Sequence, residues 1–392
     1  MKRRNFCRYI ALGSACGIGA SNSSLASVLA SERPQLKSHH KWVVLYWMPY
    51  DNDFSNFGEP IIEMLGRGSN NPETAVVVQS DYYGDAQMRR RLLVNRNIVE
   101  MSLTEKDSSD ADVFSEYLDW ANQSFEADHW IIIVVGHGGK INEVSPDDHG
   151  SFYGQRTWMG VDEFTREVRS FNRAIGEKVE LLFFQNCHKS MVEVVYEARD
   201  CARYTLASQL LLGAPNYYYE GFLTKLSEPL ASGYEAAMAI MDSERSDMYH
   251  TLTLVDNYSI VSLPDKLSRL LKQMLNEGYP VFDIADLPTY YYFGERHCDL
   301  ITLLDHLVKG SAHGQREFSE FSMFLKSSVI SAYRTGGEFY SKNYRSSADL
   351  EDGLCGLGLY FPESRQDIAR YSSLALYQAV DLLGMYEALL PI

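Results

Sequence analysis

Short apolar runs recur along the first half of the chain: WVVLYW (Trp42 to Trp47), TAVVVQS (Thr74 to Ser80), RRLLVNR (Arg90 to Arg96), WIIIVV (Trp130 to Val135) and VELLFF (Val179 to Phe184). They are β-branched and continuous rather than alternating, which predicts strands buried on both faces, as in a mainly parallel sheet. Helical periodicity lies between them. Val113, Tyr117 and Trp120 share one side of Ser109 to Phe125, and Phe164, Val168 and Phe171 share one side of Val161 to Ile175. Strands alternating with helices predict an α/β domain with helices on both faces of the sheet. From about Asp256 the pattern turns more helical. SLPDKLSRLLKQMLNEG (Ser262 to Gly278) and HCDLITLLDHLVKG (His297 to Gly310) each carry a leucine stripe and close on glycine. A late strand is expected at Gly353 to Pro362 and a final helix from Ile368 to Leu390. The pattern thus divides into residues 1–30, an α/β unit over 38–255, and a mainly helical unit over 256–392 with one late strand.

The first 30 residues stand apart. MKRRNFCRY is basic, the next stretch is rich in small residues, and SLA and VLA offer cleavage points, so the segment reads as an export signal. RRNF (Arg3 to Phe6) is similar to a twin-arginine signal, and the expected location is periplasmic or extracellular. Lipid anchoring at Cys16 is disfavoured because Gly13 stands where leucine is usual. No later apolar run is long enough to span a bilayer. The chain has 392 residues, 45% hydrophobic, and a net charge of −16; without its basic leader it is more acidic still. Such a body repels phosphate backbones, which argues against nucleic-acid binding. The four cysteines beyond the leader, Cys187, Cys201, Cys298 and Cys355, are widely spaced with no C-x-x-C pair, so no zinc site is indicated. Which of the last three pair, if any, stays open.

Two strand ends carry candidate chemistry. WIIIVVGHGGK delivers His137, and ELLFFQNCHKS delivers Cys187 fifty positions later. In open α/β sheets, ligands bind beyond the carboxyl ends of the strands, where both fall. Cysteine attacks as thiolate, and an imidazole from a neighbouring strand end can accept and return its proton. A helix beginning just after Cys187 would aim its positive end at the sulfur. Gly138 and Gly139 leave room for a substrate carbonyl, and Gly138 N–H with Cys187 N–H forms a candidate oxyanion hole. A lone buried cysteine is usually a small hydrophobe; the pair, each at an apolar strand end, favours chemistry. No H-e-x-x-H or G-x-S-x-G motif supports a metallo- or serine hydrolase.

At these residues the chain resembles the clostripain family of cysteine peptidases, relatives of caspases, gingipains and legumains in fold. VVLYWMPYDNDFSNF (Val43 to Phe57) is similar to the family's opening strand and acidic turn, GHGG to its histidine motif, and NCHKSMVEVVYEAR to its cysteine motif. YTLAS, VDNYSI and GLGLYFP follow in order. The resemblance implies a caspase-like fold and an endopeptidase working through a Cys187/His137 dyad on protein or peptide substrates, as a monomer. Calcium is the one cofactor it raises; no metal ligands can be named, since DNDF starts like a calcium loop but has Asn56 where the sixth-position glycine belongs. The family usually carries Asp two residues before the cysteine, lining a pocket for Arg or Lys. Gln185 stands there instead, and the pocket loop reads SQLLLGAPNYYYEG, with Ser208, Gln209 and Tyr217 as candidate lining residues. A neutral amide cannot compensate a buried guanidinium, so strict Arg/Lys preference is expected to be lost. The altered pocket keeps one alternative open: a catalytically silent binding protein of the cell envelope. SPDDHGS (Ser145 to Ser151) sits near where family zymogens are cut.

Overall fold

A computed structural model describes residues 37–149, 155–226, 232–279, 286–337 and 354–390. The expected export signal at 1–30 and the end of the Ser145 to Ser151 turn lie outside the described residues. The chain opens with β1 (Ser38–Tyr50), α1 (Ser55–Gly68), β2 (Thr74–Tyr82) and a hairpin of β3 (Gln87–Val94) and β4 (Asn97–Thr104). Then come α2 (Ala111–Ser124), β5 (Phe125–Val135), the short pair β6 (Val144–Asp147) and β7 (Thr157–Met159), α3 (Val161–Ile175) and β8 (Val179–Gln185). They are followed by α4 (Val192–Glu197), β9 (Ala202–Ser208), α5 (Tyr219–Lys225), α6 (Gly233–Ser243) and β10 (His250–Asp256). The remainder holds α7 (Leu263–Glu277), β11 (Thr289–Tyr292), β12 (Glu295–Asp299), α8 (Leu300–Val308), α9 (Ala312–Phe324), β13 (Ile330–Gly336), β14 (Gly358–Tyr360), α10 (Ala375–Ala379) and α11 (Leu382–Leu389).

Nine strands form one sheet in the order β13-β10-β9-β8-β5-β1-β2-β3-β4. The five from β9 to β2 are parallel, and antiparallel strands close both flanks. The continuous apolar runs are explained by two cores. Val43, Leu45 and Trp47 of β1 point into one, with Phe114 of α2 and Phe164 of α3. Trp42, Val44 and Tyr46 point into the other, with Ile61 of α1, Phe222 of α5 and Ile240 of α6. A strand covered on both faces has no polar side to alternate with. The outermost strand, β4, does alternate, each second residue exposed.

Two expectations for the second half need correction. Its described residues are still mainly helical, but it has more than one late strand: β11, β12 and β14 make a three-stranded sheet, and β13 adds itself to the edge of the main sheet against β10. Those strands are short and rich in tyrosine and charge, so periodicity does not reveal them. The final helix is not continuous either. It breaks at Val380 and Asp381, where the Asp381 carboxylate accepts from Gly384 N–H and starts α11 afresh. The four cysteines among the described residues, Cys187, Cys201, Cys298 and Cys355, are all free.

The small sheet is fastened to the main one through buried polar groups. Glu193 of α4 accepts from the Tyr360 amide of β14 at 2.9 Å, and its other oxygen has no partner among the described residues. Burial pushes this carboxyl up to about 7, with Glu295 adding repulsion. The folded protein therefore holds a proton that the unfolded chain releases at its ordinary 4.5, and stability from this group falls as pH rises through that window. Comparing urea unfolding at about pH 5 and about pH 8, wild type should lose roughly 2 to 3 kcal/mol relative to Glu193→Gln. Parallel pH profiles for the two proteins would show that this carboxyl does not titrate on unfolding.

Candidate active site

Strands β5 and β8 pair in parallel with Val135 opposite Gln185. Both run out at the same edge, one residue from Gly136-His137 and one from Asn186-Cys187. The register continues past the strands: Gly136 N–H donates to Gln185 O at 3.2 Å, and the buried Asn186 amide donates to Gly136 O at 2.9 Å and His137 O at 3.2 Å. Gly138 then lies flat against the Cys187 backbone. A Cβ there would stand 2.0 Å from Cys187 O, so no other residue fits. Among the described residues neither Gly138 N–H nor Cys187 N–H donates to another residue, and the Cys187 N–H lies against its own sulfur. A third link is Lys189, fully buried, whose ammonium donates to Lys140 O at 2.6 Å and Ile141 O at 3.1 Å. It ties the segment after the histidine to the segment after the cysteine, and burial lowers it to about 7.

His137 is oriented by the turn after β1. Its Nε2 lies 2.9 Å from Asp53 Oδ1, and its ring lies over Phe54 with centroids 3.8 Å apart. The turn itself is set by Asn52, which accepts from Phe54 N–H and donates to Pro49 O. Burial works against the Asp53 charge, but the His137 hydrogen bond and Arg156 at 3.2 Å outweigh it, and the carboxyl sits below its ordinary value. An ionised carboxylate only accepts, so Nε2 carries the proton and Nδ1 is the basic nitrogen. Burial holds the imidazole below its ordinary value, with Asp53 opposing. Asp53 was missed in the sequence because DNDF reads as a turn; nothing local says which histidine such a carboxylate will meet.

Around the sulfur, one expectation fails. The helix expected just after Cys187 begins only at Val192, beyond a non-helical turn, and has six residues. His188, in left-handed backbone at φ 53°, forces that turn and stacks its ring on Tyr292 at 4.2 Å. The sulfur instead meets the Leu210–Leu212 loop: Leu212 N–H approaches it at 3.4 Å and Leu212 O lies at 3.6 Å. Burial pushes the thiol up, partly offset by Leu212 and the Tyr292 hydroxyl. Among the described residues no hydrogen bond joins the sulfur to His137.

With this geometry in hand, comparisons with known proteins fit one line. A profile of the clostripain family matches residues 46–384. The chain belongs to the clostripain family. It is similar in fold to a secreted C11 cysteine protease from Bacteroides thetaiotaomicron bound to an irreversible peptide inhibitor, at 16% identity and TM-score 0.67, over 87% of this chain and 99% of that one. It is likewise similar to an inactive zymogen C11 protease from Parabacteroides distasonis, at 15% identity and TM-score 0.67, over 88% and 99%. No curated protein matches the sequence. This clostripain-family chain is a cysteine endopeptidase with a caspase-like, mostly parallel sheet.

The residues matching the family's pocket are sorted by the fold. Gln185 is buried and saturated: its amide donates to Asn216 at 2.8 Å and Tyr219 at 2.6 Å, and Tyr218 donates to its carbonyl at 2.6 Å. Tyr217 is partly exposed, at 37%. Ser208 and Gln209 face elsewhere. Ser208 bonds Thr251 at 3.0 Å; Gln209 donates to Asp299 at 3.0 Å and accepts from Gly356 N–H, joining β9 to the small sheet. The sequence reading also passed over Glu244, whose carboxylate accepts from Tyr217 N–H at 3.1 Å and Arg245 N–H at 2.9 Å behind the Asn216 wall.

Asp53→Asn should lower kcat/KM by about 10- to 100-fold while leaving KM nearly unchanged. Removing the charge that supports the imidazolium lowers the His137 pKa further, so the acid limb of the kcat/KM profile should move to lower pH. An unmoved limb with reduced activity would assign Asp53 a role in the fold alone.

Proposed function

We propose that the chain is an exported, monomeric endopeptidase acting periplasmically or extracellularly, with Cys187 as nucleophile and His137 as acid and base. The thiol proton passes to His137 Nδ1 as the sulfur bonds to the scissile carbonyl carbon. The oxyanion accepts from Gly138 N–H and Cys187 N–H. Collapse breaks the C–N bond, and His137 returns its proton to the leaving amine. Water then attacks the thioester, giving one proton to His137, and the acid product leaves as the thiol is restored. The observation that carries this reading is the register of β5 and β8, continued by Asn186, which lays Gly138 against Cys187. Substrate must displace the Leu212 contacts for the sulfur to attack. No described helix is long and apolar enough to cross a membrane, in keeping with export past the leader.

Specificity follows from the pocket floor. Gln185 spends its amide on two tyrosines and an asparagine, so a guanidinium or ammonium would meet no free carboxylate there. An uncharged or aromatic residue before the cut is the proposed preference. Cleavage of a mixed peptide library should yield such a profile and vanish in Cys187→Ala. A profile dominated by Arg or Lys would refute the pocket reading and leave the dyad intact.

The elevated thiol and its engagement by Leu212 favour a second reading, a silent binding protein of the cell envelope. Iodoacetamide labelling of the mature chain separates the two. Cys187 should react fastest of the four cysteines, and His137→Ala should slow it. Equal slow labelling would support the silent reading.

A further inference from the structure

The hairpin of β11 and β12 turns at Phe293 and Gly294, with Tyr292 paired to Glu295. Both turn residues have positive φ, 47° and 75°. Two-residue turns of that kind favour asparagine followed by glycine. A phenylalanine at the first position is strained, because in left-handed backbone its Cβ crowds the following carbonyl. Its ring gains little burial in return, being 41% exposed. A bulky apolar residue held toward solvent in strained backbone calls for a reason beyond stability.

The hairpin tip is anchored beside both candidate residues. Tyr292 stacks on His188, the residue after Cys187, with centroids 4.2 Å apart. Phe293 packs on Tyr292 at 4.8 Å and meets Trp158 of β7 edge to face, at 5.6 Å and 90°. Trp158 in turn lies against Gly139, two residues after His137; a Cβ there would come 2.9 Å from the indole. The rings form a continuous ridge from the turn after the cysteine to the loop after the histidine. This ridge and the Gln185 pocket flank the cleft from opposite faces of the sheet. Tyr218 and Tyr219, which hold Gln185, belong to one core. Ile141 and Met159, which follow Lys140 and Trp158, belong to the other.

We propose that Phe293 and Trp158 form the subsite for the first residue after the cut and select an aromatic or large apolar side chain there. The proposal rests on the peptidase reading and on the Gln185 pocket. Successive side chains of an extended peptide point in opposite directions. A substrate whose residue before the cut enters the Gln185 pocket therefore turns the next side chain the other way, onto the ridge. The location also suits the leaving group, since Gly139 belongs to the histidine loop and His137 protonates the departing amine. The surface offered is apolar, and an incoming ring adds an aromatic pair with Phe293. Arg156 stands 5.8 Å from the indole centroid and is engaged by Asp148 at 2.6 Å and Asp53 at 3.2 Å. It repels lysine or arginine and offers an acid no free charge.

The test compares two peptides that differ only in the residue after the cut, phenylalanine in one and alanine in the other, with cleavage followed by mass spectrometry. For the wild-type chain, kcat/KM should be about 10-fold higher on the phenylalanine peptide. Phe293→Asn should bring that ratio to about 2-fold or less. Its Tm should match or exceed that of wild type, because asparagine suits the turn. A general loss of structure lowers both rates together and leaves the ratio unchanged. Equal rates in wild type, or a ratio kept in Phe293→Asn, overturn the subsite and leave the dyad standing. A wild-type chain that cleaves neither peptide, nor any member of the mixed library, overturns the peptidase reading and the subsite with it.

Discussion

The parallel pairing of β5 with β8 is the constraint on which the rest of the site depends. Parallel strands deliver their carboxyl ends to the same edge, and a one-residue slip would carry His137 or Cys187 to the opposite face. Here the register does not end with the strands. The Asn186 amide binds the two carbonyls before and at His137, and Gly138 touches the Cys187 backbone without a side chain between them. Lys189 repeats the connection one step further out. Three consecutive links, two through the buried side chains of Asn186 and Lys189 and one through the backbone contact of Gly138, fix the relative position of the two loops.

That placement is bought with buried polar groups. Lys189 is fully enclosed, and its ammonium is held by two carbonyls with Glu143 and Glu295 nearby. Glu295 in turn accepts from Ile141 N–H at 3.1 Å and meets Arg370 and Tyr371. Gln209 reaches Asp299 and Gly356. The small sheet is thus joined to the segments carrying His137 and Cys187 by hydrogen bonds that water cannot replace without opening the core. The C-terminal half belongs to the site's support, whatever its sequence pattern suggests.

Electrostatically, burial pushes the sulfur and imidazole toward their neutral forms, the thiol up and the ring down. Asp53, with a smaller contribution from Asp148, pulls the ring the other way. A neutral pair that transfers a proton only on attack is consistent with a sulfur lodged against Leu212 and a histidine turned to a carboxylate.

Local pattern in this chain carries much of the architecture. Continuous apolar runs identified five strands of the main sheet, since burial on both faces leaves no polar alternation, and periodicity gave α3 its observed bounds. Glycine after histidine and an apolar strand before cysteine marked His137 and Cys187 as the candidate pair. The missing acid at position 185 was equally legible, because it is a single substitution in a motif. Other features depend on which distant segments meet. Asp53 faces His137 across 84 positions, the small sheet assembles from strands too short to show a period, and the helix after Cys187 starts late, beyond a His188 in left-handed backbone that stacks on Tyr292. Sequence by itself determined what each strand end carries; tertiary structure alone decided which ends share a cleft, because hydrogen-bond register and burial act between segments that no local pattern connects.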